Sequence, residues 1–404
     1  MTLLHVAVVG AGPAGAALSL LLARRGIRVT LVERERDFER TFRGEALMPT
    51  GLEALRAMGV RDEVDALPWR PIEAWEVYLD RRPIMHVREP GADLGDPALR
   101  VVPQPQLLQL LTREAGAFPG FSFLQGASAR DLLHEGDRVR GVRIDTGEGA
   151  RTIEADLVIG CDGRASLVRK RSGLELELLP ESYDVIWFKL PVPDRLRGRT
   201  PILIFASGPD VALAYVSWDG RLQVAWLVDK GAWRELRRRD WLVDCVRLLP
   251  DWLADHALAS RADMEGPVPL DVIVGRCAQW CAPGVLLLGD AAHPMSPVRA
   301  QGINMALRDA IVAANHLVPA LRAGGDLTAA SAAVSRERMP EIQRIQTLQI
   351  RELRGQRWAR QRPWLMKPLL WIAPLLTSRA WVERAWLRQQ RELRFGVTEV
   401  SLAV

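Results

Sequence analysis

The chain has 404 residues, 48% hydrophobic and 25% charged, with a formal net charge of +5. That is too long for one minimal domain and too apolar for a disordered chain, and it suits two domains built around a large core. Its four cysteines, Cys161, Cys245, Cys277 and Cys281, lack paired ligand spacing, which excludes a disulfide framework and a zinc module.

The first predicted element is a short continuous apolar run, Val6 to Val9, of the kind that forms a buried parallel strand. Gly10, Gly12 and Gly15 follow as G-x-G-x-x-G, with Ala14 inside the motif. Gly10 permits a tight turn, Gly12 lets a pyrophosphate approach the backbone, and Gly15 lets the next helix pack on the strand. Pro13 suits a first helical turn, and the helix is predicted to run to Arg25 and stop at Gly26. Its N-terminus carries about half a positive charge toward any phosphate. Ile27 to Val32 is the second strand, ended by Glu33, whose carboxylate suits a ribose 2′-hydroxyl and would repel a 2′-phosphate. This motif alone does not separate NAD from FAD.

Further along, Ile72 to Val87 reads as a strand pair turning at Asp80-Arg81-Arg82-Pro83. Ser122 to Leu124, Val139 to Ile144 and Thr152 to Glu154 read as a small β-meander. Asp156 to Gly160 is a second apolar strand, closed by Cys161-Asp162-Gly163. Asp184 to Leu190, Ile202 to Phe205, Val211 to Trp218 and Leu222 to Val228 read as antiparallel strands, with an Asp-Gly hairpin signal at Asp219-Gly220. Trp187, Phe188, Phe205, Tyr215, Trp218 and Trp226 lie on them, and period-2 alternation turns half of such residues toward one face. Trp233 to Leu253 reads as one amphipathic helix. A third apolar strand, Val285 to Leu288, ends in Gly289-Asp290-Ala291-Ala292-His293-Pro294, and a helix is predicted from Ile303 to Leu317.

Taken in order, the three strand-plus-glycine motifs resemble the single-component FAD-dependent monooxygenases, the p-hydroxybenzoate hydroxylase-like aromatic hydroxylases, over residues 4 to 340. The resemblance implies an α/β fold, α+β overall: a Rossmann-like FAD domain (1–71, 101–180 and 266–340) interleaved with an antiparallel substrate sheet (72–100 and 181–265), then C-terminal helices (341–404). It implies that Gly10, Gly12, Ala14, Gly15 and Glu33 hold the ADP part of FAD. Asp290 accepts from a ribityl hydroxyl. Asp162 and Gly163, spaced with Ser166 and Arg169 as the family's D-G-x-x-S-x-x-R, lie near FAD and the passing nicotinamide. Pro297 lies in a loop over the flavin, and Gly302, Ile303 and Asn304 open a helix whose N–H groups stabilise negative charge on the reduced ring. Arg43 and Gln104 match family positions near the flavin and its ribityl or phosphate oxygens. His293 is read as a structural hydrogen-bonding residue. Arg299 and Ala300 depart from the small residues, often glycine, common before Gln-Gly in the family; Arg299 either meets an anionic substrate or nicotinamide phosphates, or points to solvent or pairs with a carboxylate.

The implied activity is reduction of FAD by NADH or NADPH, reaction with molecular oxygen to a flavin C4a-hydroperoxide, and hydroxylation or epoxidation of an aromatic or largely apolar small molecule. No substrate-activating base is named; Tyr183 and Tyr215 are candidates. A flavin-dependent alkene reductase of the prenyl type, a halogenase and a non-catalytic flavin-binding protein are the alternatives. Residues 37–50 hold no lysine and the chain holds no W-x-W, which disfavours the halogenase. No leader precedes the first strand, so a cytoplasmic enzyme is expected. From 341 onward twelve Lys/Arg oppose five Asp/Glu among five tryptophans. Helices with Trp inward and Arg outward are favoured there; a weak membrane-surface contact stays open and nucleic acid is not expected.

Overall fold

The computed structural model describes residues 4–39, 44–90, 99–180, 183–208, 210–360 and 380–404. Arg43, Trp364 and Trp371 lie outside the described residues. A six-stranded sheet forms the centre of the half that carries the three glycine motifs, in the order Cys281–Ala282, Val285–Leu287, Leu157–Gly160, His5–Val9, Arg28–Glu33 and Phe121–Gln125. All its pairings are parallel except the short Cys281–Ala282 edge. The three apolar runs of the sequence thus lie side by side, and each ends its strand at the same edge, where ligands of open α/β sheets bind. The Phe121–Gln125 strand belongs to this sheet, not to the meander expected for it; its alternate Phe121 and Phe123 find parallel partners in Val29 and Leu31. The meander itself is Ser128–Glu135, Arg138–Thr146 and Gly149–Glu154.

Two helices cover this sheet. Pro13–Arg24 has a fully buried middle, apolar but for Ser19, and packs against Gln301–Ala323. The latter is longer than its sequence signal because Pro319 is tolerated inside it and Gly324 closes it in the left-handed conformation.

The second layer is a seven-stranded sheet, ordered Glu265–Leu270, Tyr183–Leu190, Leu222–Asp229, Asp210–Val216, Ile202–Ser207, Ala74–Leu79 and Arg82–Arg88. Every pairing is antiparallel except that of Ile202–Ser207 with Ala74–Leu79. Asp80 and Arg81 make its first hairpin turn with positive φ at both positions, the turn whose twist matches that of paired strands. The Glu265–Leu270 edge carries this sheet across the boundary expected at 266, because its residues find their hydrogen bonds on Tyr183–Leu190. Instead of one helix over 233–253 there are three short ones, Trp233–Leu236, Trp241–Val246 and Asp251–Ala259, since Asp240 and Pro250 interrupt the helical run.

Strand alternation splits the aromatic wall. Phe188, Phe205 and Trp226 pack with the short helices on the outer face, while Trp187, Tyr215 and Trp218 turn inward beside Trp75, Met48 and Val101. A short ribbon, Ala46–Leu47, Arg100–Val101 and Arg70–Pro71, links this inner face to the six-stranded half. No helix among the described residues is long and apolar enough to cross a membrane.

Candidate functional site

The first strand delivers Gly10 at φ +99°, and a Cβ there would stand 2.4 Å from the Cys161 carbonyl oxygen; one on Gly15 would stand 1.9 Å from that of Gly10. A side chain at either position would part the strand from its neighbours. At Gly12, by contrast, nothing lies within 4 Å of the Cβ position, and no side chain caps the helix that follows. The first-turn N–H groups therefore face an open space beside backbone, a cradle suited to a pyrophosphate. Ala14 is buried and packs toward Gly289 of the late motif, 3.4 Å from where a Cβ on that glycine would stand. Glu33 is fixed at the cradle's edge, its Oε2 accepting from the Ala11 N–H at 2.8 Å and its Oε1 from that of Glu35 at 3.0 Å.

The middle motif is tied to the late one. The Asp162 carboxylate accepts from Ser166 Oγ at 2.5 Å and from the N–H groups of Leu167 and Val168 at 2.6 and 3.1 Å. Burial pushes its pKa up against these bonds. Gly163 turns the chain at φ +81°. Buried Arg169 donates to the carbonyl oxygens of Ala291 and Arg164 at 2.8 and 2.7 Å, and Arg164 Nε meets Asp290 Oδ2 at 3.2 Å. The motif's Asp, Ser and Arg side chains are thus occupied within the fold, and Arg164, which sequence reading did not single out, holds the Asp290 carboxylate. A Cβ on Gly302 would lie 3.9 Å from the other Asp290 oxygen, so the helix start and Asp290 share one opening. His293 is fully buried, with Nε2 2.6 Å from Asp309 Oδ2, as a structural residue requires.

The loop from Pro297 reaches the Gln301–Ala323 helix through two left-handed residues, Arg299 at φ +62° and Ala300 at φ +52°. These are the positions where the family favours small residues, so this chain keeps the turn and accepts its steric cost. Arg299 pairs with Glu352, with Nη2–Oε1 at 2.6 Å, and its guanidinium lies 4.5 Å from the Trp75 ring centre and 5.4 Å from that of Trp386. Of the placements expected for Arg299, the carboxylate pair is the one formed. Ile303 is buried at the helix start. Asn304 is anchored on both sides, accepting from the Met48 N–H at 2.9 Å and donating to the carbonyl oxygens of Ala46 and Ala300 at 3.2 and 2.6 Å. It fastens the loop to the 44–48 segment. Gln104 Nε2 donates to the Gly44 carbonyl oxygen at 3.1 Å from the other side.

Next to Gly44 stands a residue that sequence reading missed. Glu45 is buried, and its Oε2 accepts from Ser217 Oγ at 2.7 Å. Lys189 Nζ is 3.8 Å from Glu45 Oε1 but 2.5 Å from Asp219 Oδ2. Burial raises the Glu45 pKa to about 7, against the pull of Lys189. The signal available in the sequence was Lys189 itself, a lone cation directly after the apolar run Val185 to Phe188. A cavity of about 1450 Å³ lined by Glu53, Arg308, Arg344 and Arg391 lies elsewhere, against the C-terminal helices, and takes in none of the glycine motifs.

Comparison with known proteins settles the kinship. The FAD binding domain family matches residues 4–346. The chain belongs to this family. It is 35% identical over 360 residues to the 6-methylpretetramide 4-monooxygenase of Streptomyces rimosus, covering 86% of this chain and 83% of that one. The crystal structure of Pseudomonas aeruginosa PqsL with 2-aminobenzoylacetate superposes with a TM-score of 0.74 at 25% identity, over 89% of this chain and 98% of that one. The p-nitrophenol 4-monooxygenase of Pseudomonas putida shares the fold, with a TM-score of 0.78 at 20% identity and 98% coverage of each. The family member described here is an FAD-dependent monooxygenase that uses a nicotinamide reductant and molecular oxygen on a small aromatic molecule.

Proposed function

We propose that this monooxygenase hydroxylates a ring carbon of a phenol held between the inner face of the seven-stranded sheet and the 297–304 loop. The observation that carries this reading is the composition of that inner face. Trp187, Leu213 and Ile204 make an apolar end, and Tyr215, Gln223 and Ser217 with Lys189 and Glu45 make a buried polar end. An aromatic ring suits the first and a ring hydroxyl the second. The relatives named for hydroxybenzoate, resorcinol and p-nitrophenol support it, since each of those compounds is a phenol.

In this reading the open face at Gly12 and the first-turn N–H groups hold the pyrophosphate of FAD, with Gly10, Ala14 and Gly15 shaping the turn. Glu33 holds the ribose and Asp290 a ribityl hydroxyl. Gln104 reaches a ribityl or phosphate oxygen, and Asp162 and Gly163 lie near FAD and the passing nicotinamide. When bound, FAD supplies hydride acceptance from NADH or NADPH and the activation of oxygen for transfer of one atom. The residues of the chain orient the ring system, exclude water and hold protons. Gly302, Ile303 and Asn304 aim backbone N–H groups toward the flavin, and Pro297 and Arg299 shape the loop between flavin and substrate. The domain division of 1–71, 101–180 and 266–340 for FAD and 72–100 and 181–265 for substrate is kept in this reading, except that the Glu265–Leu270 strand goes with the substrate sheet on which it pairs. Membrane contact by the basic 341–404 segment forms no part of this reading, since Trp386 is turned onto Trp75, with ring centres 5.5 Å apart.

The test is an anaerobic visible spectrum of the FAD-loaded protein before and after NADH or NADPH, followed by a screen of phenols under ¹⁸O₂. Bleaching, recovery in air and a product carrying one labelled oxygen are expected. A saturated product formed without oxygen uptake would overturn the hydroxylase in favour of a reductase.

A further inference from the structure

We infer that Glu45 is a catalytic residue: its carboxylate takes the proton of the substrate's ring hydroxyl. The inference rests on the phenol reading above. In this step the substrate O–H bond breaks, the proton passes to a Glu45 carboxylate oxygen, and the electron pair stays on the ring oxygen. No oxidant or reductant enters. The ring gains electron density at the carbons that accept oxygen.

The argument is one of charge and of unmet hydrogen bonds. Three ionisable groups meet at the polar end of the inner face, and one cation faces two carboxylates. Lys189 is held by Asp219 at 2.5 Å and by Ser217 Oγ at 3.2 Å, which leaves Glu45 as the more distant partner at 3.8 Å. A buried carboxylate with only part of a counter-charge takes up a proton readily. Tyr215, the third titratable neighbour, is a poor base: burial first, then the charges of Glu45 and Asp219, push its phenol well above the ordinary range. From the FAD half, Arg100 on the strand paired with Ala46–Leu47 is taken by Asp65 at 2.5 Å, and Arg70 donates to the Trp218 carbonyl oxygen.

The same face also holds polar atoms with nothing to bind. Gln223 pairs in register with both Lys189 and Tyr215, and its side chain is fully buried. Its Nε2 donates to Tyr215 Oη at 2.5 Å, while its Oε1 has no partner among the described residues. Trp187 Nε1, two residues along the strand from Lys189, is likewise buried and unpartnered. An acceptor and a donor left open on one buried face match a group that both donates and accepts, as a ring hydroxyl does.

The experiment uses oxidised, FAD-loaded protein without reductant, so that no turnover occurs. p-Nitrophenol is the probe, because its ionised form absorbs visible light. The wild type is expected to show a bound-phenolate band stronger than that of the same probe free in buffer, and to lose it as falling pH protonates Glu45. Glu45→Gln, which keeps the Ser217 hydrogen bond, should lose that band at least tenfold. Ser217→Ala, a second variant that does not depend on the first one folding, removes a bond that favours the carboxylate and should move the midpoint to higher pH. Absence of a phenolate band in the wild type, equal bands in wild type and Glu45→Gln, or an unmoved midpoint in Ser217→Ala would each overturn the assignment. Wild-type flavin reduction by NADH or NADPH is measured in the same preparation. Its loss would sink the monooxygenase reading, whereas reduction without phenol ionisation sinks only the role of Glu45.

Discussion

Asp290 and Glu33 sit at opposite ends of the FAD cradle, and their environments set what their loss should cost. Asp290 is partly exposed and meets Arg164, so Asp290→Ala removes the proposed ribityl acceptor and also leaves Arg164 facing the opening. A charged hydrogen bond contributes about 1.5–3 kcal/mol, so FAD should be held at least about tenfold more weakly. Fluorescence titration of the apoprotein would check this, and a variant that keeps its full flavin would refute the contact. Glu33 has other duties: its carboxylate braces the N–H groups of Ala11 and Glu35. Glu33→Ala should therefore weaken FAD and also lower thermal stability by about 1–3 kcal/mol, because buried N–H groups lose their acceptor. An unchanged melting temperature together with weakened FAD would mean that the ribose contact is its sole role.

At the scale of elements, Gly15 offers the sharpest test, since a single methyl decides whether strand and helix can meet. The added Cβ of Gly15→Ala would fall 1.9 Å from the Gly10 carbonyl oxygen, which is backbone and cannot swing aside. Overpacking of this kind costs about 1–3 kcal/mol or more and displaces the helix start proposed to receive the phosphates. The expected outcome is a folded but flavin-poor protein, read by the ratio of visible to ultraviolet absorbance; normal flavin content would show that the helix can shift without harm. The same example explains what the sequence disclosed. Each FAD motif is contiguous, so a strand, its glycine turn and its helix were legible from local residues. The inner face of the substrate sheet is assembled from Glu45, Lys189 and the two sides of the hairpin that carries Ser217 and Gln223, three stretches far apart in the chain that meet only through tertiary pairing. Alternation marked the aromatic residues as half inward, but no local pattern could place Glu45 against Ser217. The single helix expected over 233–253 failed for a local reason: the apolar spacing continued through Asp240 and Pro250, and periodicity alone does not weigh such breaks.

Across the whole molecule, a buried ionic network joins the flavin-side helix to the C-terminal segment. Arg338, with no exposed surface, donates to Asp309 Oδ1 at 2.7 Å and also bonds Glu341; Arg308 meets Glu341 at 2.9 Å and the Thr398 carbonyl oxygen at 2.6 Å. Glu341 in turn accepts from the Val397 N–H at 2.8 Å. Asp309 also accepts from the Gly289 N–H and bonds His293, so the network ends directly behind the late FAD motif. Burial works against the Asp309 carboxylate, but His293 and Arg338 outweigh it and hold the pKa down to about 2, from an ordinary value of 3.8. A carboxyl depressed in the folded state contributes stability that is complete above its unfolded pKa and is lost as pH falls through the folded one. The relevant window is therefore between 3.8 and about 2, and the contribution at neutral pH is roughly 2 kcal/mol. Asp309→Asn should remove this acid dependence and, by leaving Arg338 buried without its full counter-charge, cost about 3–5 kcal/mol at neutral pH. Melting curves of wild type and variant between pH 2 and 7, followed by flavin release, would measure both effects. If the two proteins differ by the same amount at every pH, Asp309 is already protonated in the wild type; if their gap closes toward acid and flavin is lost as the fold melts, the charge on Asp309 is what binds the C-terminal segment to the flavin half.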